Sequence, residues 1–119
     1  MSSFGPYRGV VDLVHDGDTV NVRLDVGFDL TVYARVRVAG INAPELTTDA
    51  GKAARDFART LLPAGAPVRV VSHGWDKYGG RVDGEISYTG AADHVQQWLD
   101  FATAMIDAGH AVPYSGGAR

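Results

Sequence analysis

Three short segments carry residue types that could do chemistry: Asp16-Gly17-Asp18-Thr19, Arg37-Val38-Ala39-Gly40-Ile41-Asn42-Ala43-Pro44-Glu45, and Asp76-Lys77-Tyr78-Gly79-Gly80-Arg81. Together they offer carboxylates and an amide for a hard divalent cation, a glutamate able to handle a water, and two arginines able to clamp a phosphate. That inventory suits metal-assisted phosphodiester hydrolysis. Oxygen ligands hold calcium or magnesium, and always-protonated guanidinium groups stabilise the charge that builds on the phosphate. Each segment also has a plainer use. Aspartate and glycine build tight hairpins without a metal. Arg37 fits a solvated strand position, and Glu45 fits an acceptor for the first turn of a following helix. Trp75 and Tyr78 could stack on bases or cover the mouth of a barrel.

Composition bounds the remaining possibilities. With 119 residues, 45% of them hydrophobic, the chain suits a single domain over residues 1–119, with a core at about 7–114 and a frayed tail at 115–119. Cysteine is absent, which removes disulfides, thiolate metal sites and a cysteine nucleophile. No leader pattern opens the chain and no apolar run approaches membrane-spanning length. The expectation is therefore a cytoplasmic monomer with no membrane partner and no obligate protein partner. A net charge of −3 argues against broad adhesion to nucleic acid but permits a local basic cleft. Arg35, Arg37, Lys52, Arg55, Lys77 and Arg81 lie near the three segments, whereas Asp83, Glu85, Asp93, Asp100 and Asp107 lie elsewhere. His15, His73, His94 and His110 have no metal-pair spacing and are expected at the surface.

The elements that must position these residues follow from periodicity. Val10 to Val14 reads as a strand, and His15 to Asp18 as a turn into a second strand, Thr19 to Val26, where Val20, Val22, Leu24 and Val26 alternate with polar residues. A third strand, Leu30 to Ala39, puts Val32, Ala34, Val36 and Val38 on one face and Thr31, Tyr33, Arg35 and Arg37 on the other. Pro44 turns the chain, and Thr47 or Thr48 caps a helix to about Leu62 with an apolar stripe at Ala54, Phe57, Ala58, Leu61 and Leu62. Val68 to Val71 is a short strand, Ser72 to Gly80 a loop, and Arg81 to Tyr88 a further strand. A last helix is predicted over Asp93 to Ala108, with Trp98 and Met105 on its core face and Gly109 ending it, and the chain from Tyr114 onward reads as frayed. The fold class is mainly β (α+β): a five-stranded barrel with two packed helices, order βββαββα.

On these motifs, in this order, the chain from about Val10 to Tyr114 resembles the staphylococcal nuclease (thermonuclease) family. The resemblance implies an OB fold and a calcium-dependent nuclease that cleaves DNA, RNA or both to 3′-phosphate and 5′-hydroxyl ends. It implies Asp18 as a calcium ligand with Asp16 close behind, and Ala43 as a ligand through its backbone carbonyl. Arg37 and Arg81 correspond to the phosphate-clamping arginines, and Glu45, eight residues after Arg37, to the general base or water-orienting glutamate. Tyr78 and Tyr114 fall where relatives have tyrosines that touch substrate phosphate or base, and Lys77 is expected in solvent or steering substrate.

Two departures qualify the resemblance. Asn42 stands where the family has a second calcium-binding aspartate. An amide oxygen ligates calcium without supplying charge, so Asn42 is expected to weaken binding in the free protein and to let the substrate phosphate complete the shell. Gly79-Gly80 is also one residue longer than the family pattern. Within a strand that insertion would turn Arg81 to the opposite face, and within a loop it would be absorbed. The alternative function is an OB domain that binds nucleic acid without cleaving it; a protein-interaction domain is a third reading.

Overall fold

The computed structural model describes residues 3–76, 80–90 and 97–115. Lys77, Tyr78, His94, the expected helix start at Asp93 and residues 116–119 lie outside the described residues. Five long strands form the barrel: β1 (Phe4–Asp16), β2 (Thr19–Asp25), β3 (Thr31–Val38), β5 (Pro67–Trp75) and β6 (Val82–Thr89). They pair in the order β3-β2-β1-β5-β6, and β3 returns to β6 through the parallel register Val36↔Val82, Arg37↔Asp83, Val38↔Gly84. This closes a five-stranded, OB-fold-like barrel and leaves β3 and β6 without a bare edge between them. Shorter pieces complete it: β4 (Ile41–Asn42), α1 (Asp49–Leu61), β7 (Trp98–Asp100), α2 (Phe101–Asp107) and β8 (Val112–Pro113).

Alternation explains the interior. Val20, Val22 and Leu24 of β2 and Ala34, Val36 and Val38 of β3 face inward, where Val11, Val14, Val68, Val70 and Ile86 meet them. Each fully buried valine or isoleucine contributes about 1.5–3 kcal/mol of burial. Ile41, Leu62, Phe101 and Met105 are buried with them. Helix α1 packs against β1 through Ala54 and Ala58. Its cap is Thr48, whose hydroxyl accepts from the Gly51 N–H at 2.9 Å. Among the described residues, no helix is long and apolar enough to cross a membrane.

The observed elements depart from sequence periodicity in several places; the first strand, expected over Val10 to Val14, runs from Phe4 to Asp16. Residues 98–100, expected in the last helix, form β7 and pair with β6 as Ser87↔Asp100, Tyr88↔Leu99 and Thr89↔Trp98. Asp100 is then the cap of α2, its carboxylate accepting from the N–H and the hydroxyl of Thr103 at 3.1 and 2.7 Å. Trp98 consequently lies on a strand, with the Arg69 guanidinium 4.3 Å from its ring centre, and takes no part in a helix core face. Met105 is fully buried on α2 as expected, and Gly109 ends it at φ 79°. Strand β5 runs on past Val71 to Trp75, because an irregularity between Ser72 and Trp75 keeps it paired to Gly84 and Val82. Finally, Tyr114 belongs to the ordered fold: β8 pairs with β4, and the Tyr114 N–H donates to the Gly40 carbonyl at 2.8 Å.

Candidate functional site

The β1–β2 turn is built to bring carboxylates to one end of the barrel. Asp16 pairs with Thr19, and the Asp16 carboxylate accepts from the Asp18 N–H at 3.1 Å, closing the turn locally. Gly17 is required for close approach: a Cβ there would sit 2.7 Å from the Ala43 Cβ and 3.1 Å from the Ala54 Cβ. The turn therefore seats directly against the loop that follows β4 and against α1.

Asp18 is 9% exposed and held from several sides. One carboxylate oxygen accepts from the Ala43 N–H at 2.9 Å and lies 3.6 Å from an Arg37 terminal nitrogen; the other accepts from the Thr19 hydroxyl at 3.2 Å. Burial pushes its carboxyl above the usual aspartate value. The Ala43 hydrogen bond and the Arg37 charge oppose that shift, while neighbouring Asp16 adds to it.

Arg37 donates to the Val38 carbonyl at 2.8 Å and reaches the Asn42 side-chain oxygen at 3.5 Å, with the Tyr114 ring 6.0 Å from its guanidinium carbon. Asn42 is fixed by the β4–β8 pairing. Glu45 is exposed, and its carboxylate has no hydrogen-bond or ion-pair partner among the described residues. Capping of α1 falls to Thr48 instead, which also donates to the Glu45 backbone carbonyl, from its hydroxyl at 2.7 Å and its N–H at 3.0 Å. Arg81 sits just ahead of β6; its Nε donates to the Asp76 carboxylate at 3.1 Å, and the Asp76 N–H donates to the Arg81 carbonyl at 2.7 Å. Gly80 falls between β5 and β6, outside both strands.

Asp16, Asp18, Arg37, Asn42, Ala43, Glu45 and Arg81 all line one cavity of about 400 Å³. Tyr114 stands beside it through Arg37. Of the described histidines, His15 is exposed, His73 bridges Ser3 and Glu85 at 2.8 and 2.7 Å, and His110 stacks on Phe57 at 4.8 Å, and none of the three lines this cavity. Sequence reasoning left the contacts of three supporting residues unread. Gly51 is one, because a Cβ there would collide with the Glu45 carbonyl oxygen. Gly17 and Asp76 are the others. Only their proximity to chemically equipped residues could have marked them, since their reasons are contacts between distant segments.

The donor set is wholly oxygen and matches a hard cation in kind. Among the described residues no group of three or more His, Cys, Asp or Glu gathers closely enough to hold a metal, so carboxylate charge here is sparse.

Fold and cavity together define an OB-fold-like barrel with an acid-and-arginine pocket at one end. Among characterised proteins, the chain is 34% identical over 91 residues to Endonuclease YhcR of Bacillus subtilis (strain 168), an alignment covering 66% of this chain. The chain spans about 7% of the length of that relative. No family model matches it.

Proposed function

We propose that this domain hydrolyses phosphodiester bonds of DNA or RNA with calcium, in the manner of the staphylococcal nuclease family that its motifs resemble. The observation carrying the reading is the convergence of Asp18, Arg37, Asn42, Glu45 and Arg81, drawn from three separate segments, on one cavity. Similarity to an endonuclease supports it.

Asp18, the Asn42 amide oxygen and the Ala43 carbonyl would hold the cation, with Asp16 behind Asp18. A bound calcium supplies fixed positive charge to the phosphate. Glu45, with its carboxylate unengaged and exposed, accepts the proton of a water as the water oxygen bonds to phosphorus. The bond from phosphorus to the 5′ oxygen breaks and that oxygen takes a proton from solvent, leaving a 3′-phosphate and a 5′-hydroxyl. Arg37 exchanges its contacts with Asp18 and Asn42 for phosphate oxygens, and planar paired donors stabilise the added charge of the transition state. Arg81 stands toward the leaving oxygen.

Plasmid and single-stranded DNA incubated with calcium, with and without chelator, test this on a gel. Cleavage that the chelator abolishes is the expected result. Binding without cleavage under all conditions overturns it in favour of a non-cleaving nucleic-acid-binding barrel.

A further inference from the structure

The tip of the β2–β3 hairpin carries residues that its backbone does not favour. The Leu30 N–H donates to the Gly27 carbonyl at 2.9 Å, which makes Phe28 and Asp29 the two central residues of a tight turn, at φ 55° and 59°. Left-handed conformation at both central positions is the requirement of a type I′ turn, where asparagine and glycine are at ease and a bulky aromatic is not. Phe28 is nevertheless there, and 97% exposed. Apolar surface continues behind it. Ala34, Val36 and Val38 are buried, whereas Val32 and Leu30, which continue that alternation, are 40% and 59% exposed where the hairpin outruns the core.

Beside this tip lies a second concavity, of about 610 Å³. Buried Leu24 and Val68, with Pro67 and the Trp98 ring, give it an apolar lining, and Arg8 and Arg23 stand exposed around it. Neither guanidinium has a hydrogen-bond or ion-pair partner among the described residues; nor has that of Arg69, which lies over the Trp98 ring at 4.3 Å. Asp25, the acid in the lining, is committed to its own turn, accepting from the Gly27 N–H at 2.9 Å.

Tip and hollow are complementary. The tip presents an aromatic ring next to Asp29, whose carboxylate has no partner among the described residues, and the hollow is apolar and ringed by uncommitted arginines. Phe28 does not fill the hollow of its own chain, since almost all of the side chain is exposed. The two features are neighbours, because Asp25 lines the hollow three residues before Phe28. A two-fold axis between them lets each copy's Phe28 enter the other's hollow while each Asp29 meets the other's arginines, an isologous and self-complementary contact. A hollow of this volume holds an aromatic ring, and buried aromatics and arginines are the usual anchors of interfaces. Asp29 disfavours a lipid surface as the occupant, since it would carry an unpaired carboxylate among anionic headgroups.

We propose that the chain forms a two-fold symmetric dimer through this tip and hollow, in place of the monomer expected from the sequence. The surface lies at the Asp25–Thr31 end of the hairpin, opposite the Thr19–Arg37 end that borders the candidate site, so the dimer stands or falls independently of the nuclease reading.

Sedimentation equilibrium from about 1 μM to about 1 mM, where weak to moderate interfaces dissociate, tests this. Wild type shifts with concentration from 12.6 kDa toward twice that mass, and added salt raises the dissociation constant. Phe28→Asn weakens self-association at least about thirtyfold. Asparagine tolerates the left-handed turn position, so the monomer of this variant melts no lower than that of wild type, which separates a lost contact from a lost fold. Arg23→Glu and Asp29→Arg each weaken self-association more than about tenfold, because each sets like charges face to face. Mixed, these two variants pair with one another, since the hybrid keeps one native contact and one reversed contact. Wild type that stays monomeric throughout overturns the proposal; if it then sediments with phosphatidylserine vesicles through Phe28, the tip belongs to a lipid surface. A dimer unaffected by Phe28→Asn, or charge variants that do not pair when mixed, overturns it equally.

Discussion

The Ala43 N–H donates to the Asp18 carboxylate across 2.9 Å, tying the β1–β2 turn to the loop that carries Asn42 and Glu45. This bond orients the carboxylate. It also makes the geometry of the pocket depend on two segments 25 residues apart.

Arg37→Ala is expected to cost roughly 3 to 4 kcal/mol of barrier, or about 10² to 10³ in kcat, the usual loss for a fixed charge-stabilising donor. The Arg37 side chain alternates with buried Val36 and Val38 and belongs to no part of the hydrophobic core, so the variant is expected to fold. Steady-state cleavage kinetics alongside circular dichroism would check this, and near-normal turnover in a folded variant removes Arg37 from the mechanism.

The raised carboxyl of Asp18 has a definite sign for stability. Its folded value lies above its unfolded one, so the folded state binds more protons between the two and loses stability as pH rises through that window. In chelator, Asp18→Asn should therefore melt no lower than wild type near neutrality, and the gap should close on acidification through the Asp18 titration. Calcium should raise the melting temperature of wild type and not of the variant. A variant that melts well below wild type in chelator at neutral pH contradicts the account.

Asn42→Asp adds a carboxylate where the cation is expected and should tighten calcium about tenfold or more. The new carboxylate also holds Arg37 more firmly, 3.5 Å away in the present arrangement, and so competes with the substrate phosphate. Calorimetry for calcium and kcat for cleavage should move in opposite senses. Unchanged calcium affinity would show that residue 42 is no ligand.

Gly51→Ala distinguishes contact from propensity. In an ordinary helix it would stabilise by about 1 kcal/mol. Here the new methyl meets the Glu45 carbonyl, so urea titration should show a loss of about 1 to 3 kcal/mol, with cleavage falling as Glu45 is displaced.

Local pattern made much of the barrel legible. Val20, Val22 and Leu24 alternate because one face of β2 is buried, and Thr48 precedes an apolar stripe because it caps α1. Legibility failed where a partner distant in sequence decides the state. Trp98 and Leu99 have helical spacing to Ala102 and Met105, yet the edge of β6 takes them as strand. Strand β5 continues beyond Val71 because β6 continues beside it. At the candidate site, residue types were readable, whereas present engagements were not: nothing local indicates that Arg37 donates to the Val38 carbonyl or that Asp76 holds Arg81.

The pairing of Ile41–Asn42 with Val112–Pro113 has a temporal side. Every barrel strand precedes residue 90 in chain order, whereas the clasp on the Asn42 loop comes from residues 112 and 113. During translation the five strands are therefore made first, whereas Phe101 and Met105 of the core and the brace on the cleft follow together, so the barrel interior and the cleft are completed at the same late stage.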